Sequence, residues 1–357
     1  MTEPTIWRRN GLVFALWAFG AFSAFLLLRH AWLTPFNERD FVAVWVAGKL
    51  AASGHVAQVY DTELFRVVGT PLAGSDVVKL AYPYPPQLLF IAVPLSLLPL
   101  SIAFVLWQAV SAGLFLLAAR SYLPPGFPKI LVVLTPAALI NILFGQVGLF
   151  FGALWLFAFS GSALAAAALT FKPHRGFLVA VDAVRRRQLI VTSVIAVAIL
   201  GLSALVFGID AWTAWFKGAA AYQASSLADR ASEGWRHQMA TAYLAYGPVG
   251  WIAFAAAAIY LLWRRFDVFT AATAAFLIAP YGFHYDMTVV CLGFGLLLFT
   301  KWRDLPAWQT FVCAVAFILP LLVALGSWIA SPILLLGLFV QTRNPIAEDG
   351  QRRSRIS

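Results

Sequence analysis

The sequence predicts an all-helical, polytopic membrane protein, and three observations carry that prediction. Hydrophobic residues make up 62% of the 357 and charged residues 11%, with a mean hydropathy of +0.83. Apolar runs recur from end to end, broken by prolines, glycines and short charged patches. The basic residues behind the formal charge of +10 sit at the ends of those runs. That placement orients a membrane protein and does not build a nucleic-acid face. An ordinary soluble domain is excluded, and no nucleic-acid partner is expected. Cys291 and Cys313 both lie inside apolar runs and read as small core residues, with no disulfide framework or metal site indicated.

The apolar runs fall at 11–29, 87–99, 101–119, 129–143, 146–160, 162–172, 188–207, 246–263, 267–282, 285–300, 307–326 and 328–341. A full span needs about 20 residues, so the shorter runs are expected to stay inside the bundle or end below its surface. About twelve transmembrane helices are expected, with ten or eleven also compatible. The first run is too long for a signal-peptide core and lacks a small-residue cleavage site, so it reads as a retained helix. Arg8–Arg9, Arg185 to Arg187, Arg264–Arg265, Lys301 with Arg303, and the tail from Arg343 to Arg355 flank the runs on one side, which is then cytoplasmic. The chain is read as one membrane domain, 1–357. Its parts are a first helix (1–29), an extracytoplasmic loop (30–86), a core (87–207), a second extracytoplasmic loop (208–245), C-terminal helices (246–341) and a basic cytoplasmic tail (342–357).

Between the first two runs lies NERDFVAVWVAGKLAASGHVAQVYD, from Asn37 to Asp61. Phe41, Val44, Trp45, Val46 and Leu50 recur at helical spacing, which predicts a short helix on or dipping into the membrane surface. Tyr60–Asp61 opens a second amphipathic piece ending near Val68. Ala81 to Gln87 carries prolines at 83, 85 and 86 and predicts a stiff extended lead-in to the next span. Pro94 and Pro99 predict kinks or ends. Gly145–Gln146 separates two apolar runs with almost no loop. After Lys172–Pro173, an amphipathic segment to Arg187 reads as lying on the cytoplasmic surface.

These residues resemble a family. Asp40–Phe41, Trp45-x-x-Gly48, Gly54, Tyr60–Asp61 and Phe65 resemble the first extracytoplasmic loop of glycosyltransferase family 87. Tyr84-Pro85-Pro86, Pro94–Leu95, Trp107, Gly145–Gln146 and Lys172–Pro173 continue the likeness, and Pro280 with His284-Tyr285-Asp286 resembles a late motif. The resemblance is dense from about 37 to 187 and thinner beyond. It implies a GT-C membrane fold and a polyprenyl-phosphate-mannose-dependent mannosyltransferase of the bacterial plasma membrane. It also implies a polyprenyl-phosphate sugar donor, a lipid or glycan acceptor, inversion at the anomeric carbon, a base at Asp40, no nucleotide sugar and no cofactor.

Displacement at an anomeric carbon by a hydroxyl needs one general base, while the phosphate leaves as an anion without a general acid. Asp40 is the candidate base, although an aspartate at this position also suits a cap on the Phe41 helix. Candidates for holding the phosphate are His284, Arg39, Arg236, His237 and Lys79, because cations stabilise the charge that builds there. Asp286 is an ionisable group at the end of a span, a costly placement that points to a site, but it fits an interfacial pair with His284 equally well. Trp45 is a candidate for stacking on a sugar, and Tyr84 for the donor site. Gln146 fits either a bond to a neighbouring helix or the wall of a lipid cavity. Asp61 and Glu63 read as cap and surface, and Lys172 as a side chain snorkelling to cytoplasmic headgroups. The rival readings are a transporter or lipid flippase, and an inactive scaffold subunit that keeps the fold.

Overall fold

In a computed structural model, residues 18, 21–22, 25–74, 82–228 and 240–346 are described, and among them helix and tight turn make up all the regular structure. After a helical stretch over 25–33, the helices are α1 (Phe41–Ala52), α2 (Thr62–Ala73), α3 (Leu89–Ser96), α4 (Leu100–Ala119), α5 (Pro136–Phe144), α6 (Gly148–Phe159), α7 (Ala163–Ala168), α8 (Pro173–Arg185), α9 (Leu189–Phe207) and α10 (Ile209–Ala228). The C-terminal set is α11 (Ala242–Arg264), α12 (Val268–Ile278), α13 (Thr288–Lys301), α14 (Ala307–Leu322) and α15 (Ala330–Arg343). Most of the first apolar run and the basic tail lie outside the described residues, as do Lys79, Arg236 and His237.

Among the described residues three helices are long and apolar enough to cross a membrane: Leu100–Tyr122, which extends α4 by a turn, together with α9 and α11. The outer faces of α9 and α11 are apolar and open. Leu205 is 84% exposed and Trp263 90%. Water would not tolerate such surfaces, whereas hydrocarbon does. The count of twelve spans was an expectation from run length, and three is the number that length and composition support among the described helices. The others are shorter and bury their apolar residues against one another, as α6 does between α4 and α13.

Three expectations change. The α1 helix was expected at the membrane surface, but Phe41, Val42, Val46 and Ala47 are fully buried and the helix packs along α3. A helix apolar on every side belongs inside the bundle, not at an interface. The stretch 208–245 reads as a loop in the sequence, yet α10 occupies its first half and packs on the turn Val56–Tyr60. The Trp215 indole N–H donates to the Pro83 carbonyl at 3.1 Å, tying α10 to the proline-rich segment.

The third change concerns α8. Its first turn lies with Lys172 beside the turn His284–Asp286, while Arg185 donates to the Phe266 carbonyl and Arg186 to that of Phe159. The helix therefore runs alongside α6, from the end that carries Gln146 to the end that carries Ser160, about 18 Å away at 1.5 Å per residue. It packs against the bundle instead of standing apart at one end of it. Its buried residues, Arg175, Leu178, Val179, Asp182 and Ala183, form the stripe that faces the bundle. Arg185, Arg186 and Arg265 gather at the end opposite Asp40.

Candidate functional site

Asp40 stands immediately before α1. Its backbone is already helical (φ −57°, ψ −25°), and its side chain makes no capping bond. A side-chain cap needs an extended backbone so that the carboxylate can fold back on the free amides. The cap reading of Asp40 therefore gives way. Its Oδ2 instead accepts a hydrogen bond from Gln146 Nε2 at 2.5 Å. Among the described residues no cation pairs with it. Asp61 behaves as expected of a cap: it is extended, and its Oδ1 accepts from Glu63 N at 3.1 Å and Leu64 N at 3.0 Å.

The Asp40 residue as a whole is exposed, yet its carboxyl is crowded by protein. The exposed side leaves the carboxyl reachable, and the buried amide that touches it marks the crowded side. Desolvation pushes the pKa from the ordinary 3.8 up to about 6, against the Gln146 hydrogen bond, which lowers it. The result is a carboxylate with one neutral partner, ionised near neutral pH and basic enough to take a proton.

The turn 145–148 explains why Gln146 reaches Asp40. Gly145 ends α5 in the left-handed region (φ 78°), and a Cβ there would come within 2.5 Å of Phe41 Cβ. Only glycine allows both the turn and the contact. At the other end of the turn, a Cβ on Gly148 would lie 2.3 Å from the Tyr285 carbonyl oxygen. Asn141 fixes the same junction: its Nδ2 donates to the Tyr285 carbonyl at 2.7 Å, and its Oδ1 accepts from Leu149 N at 3.2 Å. One short turn thus fastens the start of α1 to the His284–Asp286 turn.

Behind that turn lies a buried ionic cluster. Asp286 Oδ1 accepts from Lys172 Nζ at 2.6 Å, and its Oδ2 is 3.8 Å from Arg175 Nε. The side chains of Asp286 and Lys172 are each 4% exposed. Lys172 also lies over the rings of Phe151 and Tyr285, and the Arg175 guanidinium stacks 3.3 Å from the centre of Phe276. Lys172 is therefore no headgroup snorkel: its apolar stem and its charge are both taken up inside the bundle. A cavity of about 40 Å³ beside the cluster is lined by Gly148, Phe151, Arg175, Phe276 and Asp286 among others. Two cations compensate Asp286, so it suits a structural tie better than proton abstraction.

Arg39 turns away from Asp40: its Nη2 donates to the Ala31 and Thr34 carbonyls at 2.6 and 3.2 Å, and its guanidinium sits over Phe36 and Phe104. Those bonds make it a brace for the chain before α1. Trp45 is buried, its indole N–H donates to the Leu98 carbonyl at 2.9 Å, and Lys49 lies 5.0 Å over its ring. It packs and leaves little face for a sugar. Tyr84 is half-buried against Tyr82. His284 is half-buried on the turn that Asp286 anchors, its ring edge-on to Tyr285.

Arg175 and Asn141 were missed in the sequence. Arg175 could have been found, because it sits on the same helical stripe as Leu178, Val179 and Asp182, where a surface helix would place only apolar side chains. Asn141, inside the run 129–143, has no such signal beyond being the one amide in it.

No curated protein and no solved structure matches the chain. Residues 82–282, more than half of its length, match the family model of glycosyltransferase family 87.

Proposed function

The chain belongs to glycosyltransferase family 87, and on that premise we propose that it transfers a hexose, mannose in the first instance, from a polyprenyl-phosphate donor. The acceptor is a lipid or glycan on the extracytoplasmic side of a bacterial plasma membrane. Asp40 is the general base. The observation that carries this reading is the state of its carboxylate, which is free of the helix end, unpaired with any cation among the described residues, and raised towards neutrality.

The reaction is a single displacement. Asp40 takes the proton of the acceptor hydroxyl, the hydroxyl oxygen bonds to the anomeric carbon, and the carbon–phosphate oxygen bond breaks. The polyprenyl phosphate departs with the bonding electrons, and the anomeric centre inverts. Its leaving group is already an acid anion, so a second carboxyl to protonate it is unnecessary, unlike the pair in glycosidases. His284 is the candidate contact to the phosphate, held in place by the Asp286 anchor on its own turn. The arginines gathered at the far end of α6 and α8 support this sidedness, since basic clusters favour the cytoplasmic side.

The test is transfer by the purified full chain of radiolabel from mannosyl-phosphoryl-polyprenol to lipid extracted from the host membrane. Labelled product that depends on the protein supports the reading. Donor bound without turnover would put the chain with the scaffold reading, and donor moved unchanged across vesicles with the flippase reading.

A further inference from the structure

We propose that Gln146 is a positioning residue for the base: its amide holds Asp40 Oδ2 so that Oδ1 is the oxygen presented to the acceptor hydroxyl. This deepens the reading of Asp40 as the base and rests on it. Three observations carry it. The 2.5 Å bond from Nε2 is the one hydrogen bond the Asp40 side chain makes among the described residues. Gln146 is buried, 9% exposed, and its backbone N–H donates to the Asn141 carbonyl at 3.1 Å, so the amide is presented from a fixed turn. The glycines at the two ends of that turn sit tight against Phe41 and against the Tyr285 carbonyl, so the backbone that presents the amide is fixed at both ends.

A neutral amide is suited to this work. A lysine or arginine in its place would fix the carboxylate as firmly but would lower its basicity, as the two cations do for Asp286. The amide donates one hydrogen bond to the charged form and adds no charge. Among the described residues, the other titratable or charged groups on the elements next to Asp40 have contacts of their own or are exposed. His30 lies against Phe144, Arg39 on the Ala31 and Thr34 carbonyls, Lys49 over Trp45, and Glu38 is exposed on the preceding turn.

Infrared titration of the purified full chain tests this without any substrate, with the Asp40 carboxyl band assigned by difference against Asp40→Asn. In the native protein the band should titrate at about 6. In Gln146→Met, which keeps volume and removes the donor, it should move up by about one pH unit, the worth of a hydrogen bond to a charged group. Gln146→Glu, nearly isosteric, should move it further, because two adjacent carboxyls share a proton. In the transfer assay both variants should lower kcat by about ten- to a hundredfold with the donor KM unchanged, and the acid limb of the pH profile should follow the band. An Asp40 band that stays put in both variants overturns the proposal, even if activity falls. A shifted band with native kcat retains the contact but overturns the positioning role. An inert Asp40→Asn substitution would instead sink the reading on which the proposal rests.

Discussion

Asp40 and Asp286 are two carboxylates at the same end of the bundle, tied to the two ends of one four-residue turn, and their surroundings are opposite. Asp40 is open on one side, touches a neutral amide and has its pKa raised to about 6. Asp286 is buried between Lys172 and Arg175. Burial alone does not make a base; the partner decides. A neutral donor fixes a carboxylate and leaves it able to take a proton, whereas a pair of cations stabilises its charge and removes that ability. Asp61 supplies the third case, a carboxylate spent on a helix end.

The largest effect is expected at Asp286. Asp286→Ala would leave two buried cations without their partner, a loss of about 3–5 kcal/mol, read as a large fall in thermal stability in detergent and in folded yield. Replacing the pair together, Asp286→Leu with Lys172→Met, should recover much of that stability, since apolar side chains of similar size often do as well as a buried ion pair. Native stability in the single variant would show that the cluster is not the anchor described here.

The pH profile sharpens the contrast next. The base must be ionised, so kcat should fall about tenfold per pH unit below about 6, the value to which Asp40 is raised. Stability runs the other way. The folded state holds this proton more tightly than the unfolded chain, whose carboxyl titrates near 3.8. The group therefore favours the fold at low pH, and that contribution is lost as pH rises from 3.8 through 6. An acid limb near 4 would mean that Asp40 is not raised in the working enzyme.

The smallest effect is expected at Asp61. Asp61→Ala should cost about 1 kcal/mol of stability through loss of the cap and leave transfer unchanged, while Asp61→Asn should be nearly silent. The same Ala change at Asp40 removes no cap, because there is none.

Much of this was legible in the sequence. The helices follow the apolar runs, Pro99 opens α4 as its cap position, and Gly145 ends α5 as a glycine after an apolar run should. The Asp40 and Gly145–Gln146 motifs were visible as motifs. Their contact was not, since Asp40 and Gln146 are 106 residues apart. Lys172 illustrates the limit: a lysine at the end of an apolar run has the same local signature whether it reaches for headgroups or for a carboxylate 114 positions away. The burial of α1 was hidden for a related reason. A helix that is apolar on all faces carries no stripe to say which way it points. The α10 helix was missed because its mixed composition resembles a loop, and packing on Val56–Tyr60 supports it.

The Asp40→Asn substitution separates a base from a cap at this position. Asparagine keeps the size and removes the basicity. Label transfer and thermal melting should be measured on the same preparation at neutral pH. Transfer should fall by about 10²–10⁴, the usual contribution of a positioned general base. Melting should be no lower than native, because the substitution removes a desolvated charge. Native transfer in a stable Asp40→Asn protein would contradict the account.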